Sequence, residues 1–139
     1  MYTYEEVIDK IENSRRFGNL PGVEVTGRML AALGNPQEGL RYIHVAGTNG
    51  KGSTCAFLNN IFTQAGLKCG CFTSPHLIHF EERITVGRLM ISKDAVTRIG
   101  NELLAMDFGV TPTMFDYCLV MAVLYFKDCG CDVAVMETG

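Results

Sequence analysis

Residues 42–53 read YIHVAGTNGKGS, a run in which an apolar segment passes directly into a glycine-rich loop. Residues 42–46 are predicted to form a buried strand, because a short apolar run bounded by turn residues is typical of a sheet interior. After the loop, four apolar residues recur at helical spacing before Gly66, and they predict a helix: Leu58, Ile61, Phe62 and Ala65. A strand, a glycine loop and a helix in this order indicate a phosphate-binding unit.

The loop contains the residue types that bind nucleotide phosphates. Its glycines let backbone amides turn toward oxygen atoms, and the following helix adds partial positive charge. Lys51 is predicted to neutralise the β- and γ-phosphates, and Ser53 or Thr54 offers a hydroxyl to Mg²⁺. The common pattern G-x-x-x-x-G-K-[ST] is not met, since Val45 and Gly52 occupy two of its defining positions. A dinucleotide fingerprint fits less well, because the loop glycines do not follow G-x-G-x-x-G spacing.

The rest of the chain alternates between predicted helices and strands. Further helices are predicted over residues 4–13, 26–33, 93–106 and 113–127, and further strands over 68–73, 83–86, 89–91 and 132–137. The alternation predicts an α/β fold with a mainly parallel sheet and flanking helices.

Two acidic residues are candidates for ligand binding. Glu137 ends the last predicted strand, at the edge where open α/β sheets bind ligands, and could hold Mg²⁺ directly or through water. The alternative for Glu137 is a solvated strand end. Asp116 follows Thr113 by three residues, so a helix-capping acid is at least as good an interpretation as a ligand.

Composition excludes several classes of protein. The chain has 139 residues and is 47% hydrophobic, which favours a folded domain over a disordered chain. Its formal net charge of −3 does not indicate a surface that binds nucleic acids or anionic membranes. No apolar stretch approaches the roughly 20 residues that a membrane-spanning helix needs. The first residues lack the features of a signal peptide, so a cytoplasmic location is expected. The six cysteines are predicted to be reduced and packed as small apolar residues, rather than to bind a metal.

The loop sequence HVAGTNGKGS, residues 44–53, closely resembles the phosphate loop of folylpolyglutamate synthases, which belong to the Mur-ligase superfamily of ATP-dependent amide ligases. Other stretches resemble the same family in the same order: PGVE (21–24), FTSPHL (72–77) with ERI (82–84), TMFDY (113–117) and METG (136–139). The resemblance implies a three-layer, P-loop-type fold. It implies that residues 1–139 are the N-terminal part of a truncated Mur-ligase-like ATP-binding domain. The rest of that domain and a C-terminal glutamate-ligase domain are expected beyond Gly139.

The resemblance also implies roles for particular residues. ATP phosphates would be held by Gly47, Thr48, Asn49, Gly50, Lys51, Gly52 and Ser53, with Lys51 as the catalytic residue. Mg²⁺ would be held by Ser74 and Glu137, together with Ser53. The folate substrate would be contacted by Pro21, Gly22, Ser74, Pro75, His76, Thr113, Met114, Phe115 and Asp116. The family usually has Glu where Asp116 stands, which implies a shorter or water-mediated contact there.

The activity implied by the resemblance is ATP-dependent addition of L-glutamate to the carboxylate of a reduced folate through an acyl phosphate, with dihydropteroate as a further acceptor. Two alternatives remain. One is a nucleotide-binding fragment or P-loop switch without turnover, although the sequence has no Asn-Lys-x-Asp base-reading motif. The other is a Mur ligase acting on a peptidoglycan precursor, whose nucleotide-sugar substrate would not require the segment at residues 113–116. No nucleic-acid or membrane partner is expected.

Overall fold

The computed structural model describes residues 1–14, 22–47, 50–76 and 78–137, which form two compact units. The first unit comprises Met1–Glu38 and Ser92–Tyr125, and the second comprises Gly39–Ile91 and Phe126–Gly139. The helices are α1 (Tyr4–Glu12), α2 (Gly22–Ala32), α3 (Lys51–Gln64), α4 (Lys93–Ala105) and α5 (Met114–Asp128), with a short 3-10 helix at Phe80–Arg83. The strands are β1 (Arg41–Val45), β2 (Cys69–Phe72), β3 (Ile84–Val86), β4 (Leu89–Met90) and β5 (Val133–Glu137).

The first unit is helical, and local sequence signals set its helix ends. Thr3 and Glu6 form a capping box at the start of α1, with each side chain accepting the other's backbone N–H at 3.1–3.2 Å. Ser92 caps α4 by accepting the N–H of Ala95 at 3.1 Å. Helices α1 and α4 pack closely, since a Cβ added at Gly100 would collide with Val7. These caps confirm the predicted starts of both helices.

The second unit contains a five-stranded mixed sheet with the strand order β1-β5-β2-β3-β4. The first three of these strands are parallel to one another, and β3 and β4 add an antiparallel hairpin beside β2. Helix α3 packs on the parallel strands. The core between them is formed by Val45, Cys55, Cys69, Cys71, Val133 and Val135. The predicted α/β fold is confirmed, as is the hairpin at residues 83–91.

Two predicted elements differ from the structure. β1 is not a buried strand: only Val45 is buried, because β1 pairs with β5 alone and lies at the edge of the described sheet. Helix α2 begins at Gly22 rather than at residue 26. Val25 and Met29, one turn apart, are 1% and 0% exposed, so the buried face of the helix already includes Val25, which precedes the predicted start.

The cysteines lie where small apolar residues would. Among the described residues all six are free thiols; Cys55, Cys69, Cys71 and Cys118 are buried, and the other two are half-buried. Burial raises the pKa of Cys69 to about 11 and that of Cys71 to about 12. No helix in the described part of the chain is long and apolar enough to cross a bilayer.

Candidate functional site

The glycine loop joins the end of β1 to the start of α3, and positive φ angles shape it. Gly47 has φ 140° and Gly50 has φ 74°, a region that residues with a Cβ rarely adopt. Gly50 is the residue immediately before α3, and its carbonyl accepts the N–H of Thr54 at 2.9 Å, which closes the first helical turn. Thr48 and Asn49, both predicted phosphate ligands, lie outside the described residues.

The first turn of α3 presents donors and positive charge. Lys51, Gly52 and Ser53 occupy this turn, where backbone amides have no acceptor within the helix. Lys51 is half-buried, whereas Gly52 and Ser53 are exposed. A Cβ added at Gly52 would have no described atom within 4 Å, so the surface there is open. The helix dipole and one ammonium group make this turn favourable for an anion.

Glu137 lies beside this turn, at the same edge of the sheet. It is the last residue of β5, and it pairs in register with Val45, the last residue of β1. The Glu137 side chain is 5% exposed. Burial raises the pKa of the Cys55 thiol, the Glu137 carboxylate raises it further, and Lys51 lowers it. The two opposite charges therefore both act on a single thiol in the first part of α3.

Ser74 reaches the same carboxylate from the neighbouring strand. β2 pairs with β5 on the side opposite β1, and Ser74 follows β2 by two residues. Its backbone N–H donates to Oε2 of Glu137 at 3.3 Å. The structure thus brings together two of the three residues predicted to hold Mg²⁺, and Ser53 lies on the first turn of α3 in the same unit.

The loop after Ser74 is closed by a side-chain contact that is not predicted from the sequence. The Ser74–Pro75 peptide bond is cis. The guanidinium Nε of Arg83 donates to Nδ1 of His76 at 2.8 Å. Glu82 Oε2 accepts two backbone N–H groups of the same loop, those of Ile78 and His79. Glu82 and Arg83 belong to the ERI stretch, so the residues were visible in the sequence but their partners were not.

The predicted pteroate-binding segment begins α5 in the first unit. Asp116 Oδ2 accepts the backbone N–H of Thr113 at 2.8 Å and its hydroxyl at 3.0 Å, and the Asp116 N–H approaches Thr113 Oγ1 at 3.4 Å. Asp116 is therefore a helix-capping acid in this structure, and it is only 1% exposed. Phe115 is 41% exposed, and Met114 is half-buried. Gly22 begins α2 in the same unit, and Pro21 lies outside the described residues.

Comparisons with known proteins agree with the sequence resemblance. The chain is 41% identical over 143 residues to a probable bifunctional folylpolyglutamate synthase/dihydropteroate synthase of Halobacterium salinarum, covering 98% of this chain and 17% of that protein. It is 38% identical over 148 residues to a dihydrofolate synthase/folylpolyglutamate synthase of Bacillus subtilis, covering 100% of this chain and 34% of that one. The solved complex of a folylpolyglutamate synthase (FPGS) with AMPPCP and folate superposes on this chain with a TM-score of 0.89 and 34% sequence identity. The match covers 99% of this chain and 35% of the solved chain.

The chain belongs to the folylpolyglutamate synthase/dihydrofolate synthase family. No protein-family model matches it. The chain spans about a third of the length of the bacterial relative and about a sixth of the archaeal one. The confirmed α/β fold is thus the fold of a part of these folylpolyglutamate synthases.

The residues at the sheet edge fit the Mg²⁺ that the sequence resemblance implies. A carboxylate and two hydroxyl groups are hard oxygen donors, which suit Mg²⁺. The described residues contain no group of three or more His, Cys, Asp and Glu side chains arranged to hold a metal ion. Mg²⁺ at a nucleotide site is commonly held by one or two carboxylates together with phosphates and water, so a single buried Glu137 is compatible with it.

Proposed function

We propose that this chain is the ATP-phosphate part of a folylpolyglutamate synthase, which joins L-glutamate to the carboxylate of a reduced folate and converts ATP to ADP and phosphate. The observation that carries the proposal is the position of Glu137: it pairs with the strand that leads into the glycine loop and accepts the N–H of Ser74. The solved relative in complex with AMPPCP and folate supports the choice of ATP and a folate as two of the substrates. Residues 1–139 would then belong to the N-terminal part of the ATP-binding domain.

In this proposal each residue of the glycine loop has a physical task. Backbone amides from Gly47 to Ser53 would bind the phosphate oxygens, with positive charge from the helix terminus behind them. Lys51 would neutralise the terminal phosphates and orient them for transfer. Ser74, Glu137 and Ser53 would hold Mg²⁺, which when bound draws negative charge away from the phosphate oxygens.

The chemistry requires activation of a carboxylate, since oxide is a poor leaving group. We infer that the folate carboxylate attacks the γ-phosphorus of ATP, so that an acyl phosphate forms and ADP leaves. The amine of glutamate then attacks the acyl carbon, the amide bond forms, and phosphate leaves. This route needs precise placement and charge neutralisation more than a protein nucleophile. In this proposal Lys51 would neutralise and orient the phosphates, and Glu137 would place the metal ion beside them.

We further propose that the pteroate end of the substrate binds the segment at residues 113–116, with Pro21 and Gly22. Ser74, Pro75 and His76 would contact the substrate as well. Phe115, which is 41% exposed, provides an aromatic surface on which a pterin ring could stack. The Asp116 carboxylate would act from its capping position. A pocket that recognises the pteroate moiety would accept dihydropteroate as well as folate.

The test measures ADP release by the full-length protein with ATP, a reduced folate and L-glutamate. Release that requires both the folate and glutamate is expected, and Lys51→Ala should reduce it at least about 100-fold through loss of a charged phosphate ligand. Lys127→Ala, which removes an exposed lysine, is the matched control. ATP hydrolysis indifferent to folate would favour a switch protein. ATP binding without turnover would favour a nucleotide-binding module, and activity on a peptidoglycan precursor would favour a Mur ligase.

A further inference from the structure

Several side-chain and backbone hydrogen bonds hold the loop between β2 and β3, and the proposed function assigns no role to them. At its base, the Thr73 N–H donates to the carbonyl of Arg83 at 2.9 Å. In its second half, Glu82 Oε2 accepts the N–H groups of Ile78 and His79 at 3.1 and 2.9 Å. Across its middle, Arg83 Nε donates to His76 Nδ1 at 2.8 Å. These bonds fix the described part of the loop that begins with the Ser74–Glu137 contact.

The bond between Arg83 and His76 determines which imidazole nitrogen carries a proton. A guanidinium has only donors, so His76 Nδ1 must be the acceptor and must be unprotonated. A neutral imidazole with a bare Nδ1 carries its proton on Nε2. Arg83 is 8% exposed, which restricts its own movement, and the ring of Phe80 meets the His76 ring edge-on at 6.0 Å between centroids. The ring is therefore fixed in both tautomer and orientation.

His76 lies two residues beyond Ser74, whose N–H is bonded to the carboxylate of Glu137. His76 is half-buried, so part of its surface remains accessible to a ligand. An imidazole held with its proton on Nε2 at this position can donate a hydrogen bond to a negatively charged oxygen of a ligand.

We propose that Arg83 is a positioning residue of this site, which holds His76 as an Nε2–H donor to an oxyanion of the substrates. This inference rests on the proposed function for the identity of those substrates. Two sources supply an oxyanion there: the terminal phosphate of ATP and the carboxylate of the folate. Arg83 acts through His76 and need not itself touch either substrate.

The first experiment reads the tautomer directly and does not depend on turnover. The protein is labelled with ¹⁵N-histidine, and long-range ¹H–¹⁵N spectra are recorded; the chain has three histidines, and His76→Ala assigns the signal. The unsubstituted protein should show His76 as the single Nε2–H tautomer. Arg83→Ala should convert it to a mixture, and Arg83→Lys, which retains a donor, should preserve the tautomer in part. An Nδ1–H or charged imidazole in the unsubstituted protein would overturn the proposal, even if Arg83→Ala did not fold.

The second experiment measures kinetics in the full-length enzyme. Arg83→Ala and His76→Ala should each lower kcat/KM about 10- to 100-fold, the range expected for loss of a charge-assisted hydrogen bond. The double variant should be within about twofold of His76→Ala alone, because Arg83 acts through that ring. A higher KM for ATP would indicate the phosphate as the acceptor, and a higher KM for folate would indicate the carboxylate. Arg88→Ala removes an exposed arginine from the turn after β3 and should leave activity unchanged.

The two experiments separate failure of this inference from failure of the proposed function. A fixed Nε2–H tautomer that depends on Arg83, in a protein without folate-dependent ADP release, would retain the positioning role and reject the proposed ligase activity. Normal folate-dependent turnover in Arg83→Ala, or additive losses in the double variant, would reject the positioning role and leave the ligase activity intact.

Discussion

The backbone N–H of Ser74 donates to the carboxylate of Glu137 at 3.3 Å, although the two residues are 63 positions apart in the chain. The contact exists because β2 and β5 are parallel neighbours that end at the same edge of the sheet. It links the loop after β2 to the acid that also pairs with the end of β1. The proposed binding of metal and phosphate depends on Ser74, Glu137 and the end of β1 lying together at this edge of the sheet.

Glu137→Gln should remove the effect of Mg²⁺ on nucleotide binding while preserving the fold. The amide oxygen can still accept the Ser74 N–H, but it has no charge with which to hold a divalent cation. In calorimetric titrations with AMPPCP, the gain in affinity on adding Mg²⁺ should fall from about tenfold or more to within about twofold.

The matched control for that variant lies at the other end of β5. Asp132 Oδ2 accepts the backbone N–H of Lys68 at 2.8 Å, so Asp132→Asn makes the same chemical change away from the loop edge. It should leave the Mg²⁺ effect unchanged. A Glu137→Gln protein with a full Mg²⁺ effect would contradict the proposed metal site.

Gly70→Ala should destabilise the second unit by overpacking. A Cβ at this position in β2 would lie 2.5 Å from Cδ1 of Phe126, which is fully buried. Inserting a methyl group into such a contact costs about 1–3 kcal/mol in the free energy of unfolding, measured in urea. Phe126→Leu in the same chain should reduce the cost of Gly70→Ala, and additive losses would disprove the contact. Gly52→Ala, whose Cβ meets open space, should change stability by no more than about 1 kcal/mol.

Thr113→Ala should cost about 1 kcal/mol of stability, within a range of about 0.5–2 kcal/mol, because it removes the hydroxyl that caps α5. Thr3→Ala removes the equivalent hydroxyl from the capping box of α1 and should cost a similar amount. Urea unfolding of both variants checks the prediction, and an unchanged free energy for Thr113→Ala would contradict the capping role. Asp116→Asn keeps an acceptor for Thr113, so weaker folate binding at nearly constant stability would indicate the additional substrate contact proposed for Asp116.

Stability should fall as the pH rises above that of neutral buffers. Burial raises the pKa of Cys69 to about 11 and that of Cys71 and Cys131 to about 12 in the folded protein. An unfolded thiol loses its proton near pH 8.5, so above that pH the unfolded state binds fewer protons than the folded state. The stability that these thiols contribute is complete below about pH 8.5 and is lost progressively as the pH approaches 11 to 12.

The measurement is the free energy of unfolding in urea between pH 8 and 11, for the native chain and a variant with Cys69, Cys71 and Cys131 replaced by alanine. The variant should show a shallower dependence on pH, whatever its stability at pH 8. Val135→Ala, which shortens another buried side chain of the same core and removes no thiol, serves as the control with an unchanged slope. Equal slopes for the native chain and the alanine variant would refute the prediction.

Helix ends and the glycine loop could be predicted because their signals are local. The capping box at Thr3 and the cap at Ser92 each lie within four residues of the helix turn that they stabilise. The order strand, glycine loop, helix is likewise contained in about 25 consecutive residues. Such features need no knowledge of which strands become neighbours.

Features that depend on distant pairing could not be predicted in the same way. An apolar run at residues 42–46 does not reveal whether its strand lies inside the sheet or at its edge, and only Val45 proved to be buried. The contact between Arg83 and His76 requires the fold of the loop between β2 and β3. The spacing of Thr113 and Asp116 predicts a helix-capping acid at least as well as a ligand. The structure establishes the capping contacts of Asp116, and its role in substrate binding stays a prediction.

The position of β5 between β1 and β2 has a consequence for how this sequence can change over time. Adjacent side chains of a strand face opposite sides of a sheet, so inserting or deleting one residue in the turn before Val133 could shift the strand by one step. Such a shift would move the carboxylate of Glu137 to the other face, away from both Ser74 and the first turn of α3. Length variation among related sequences should therefore be rare in that short turn and more common at the tip of the hairpin formed by β3 and β4.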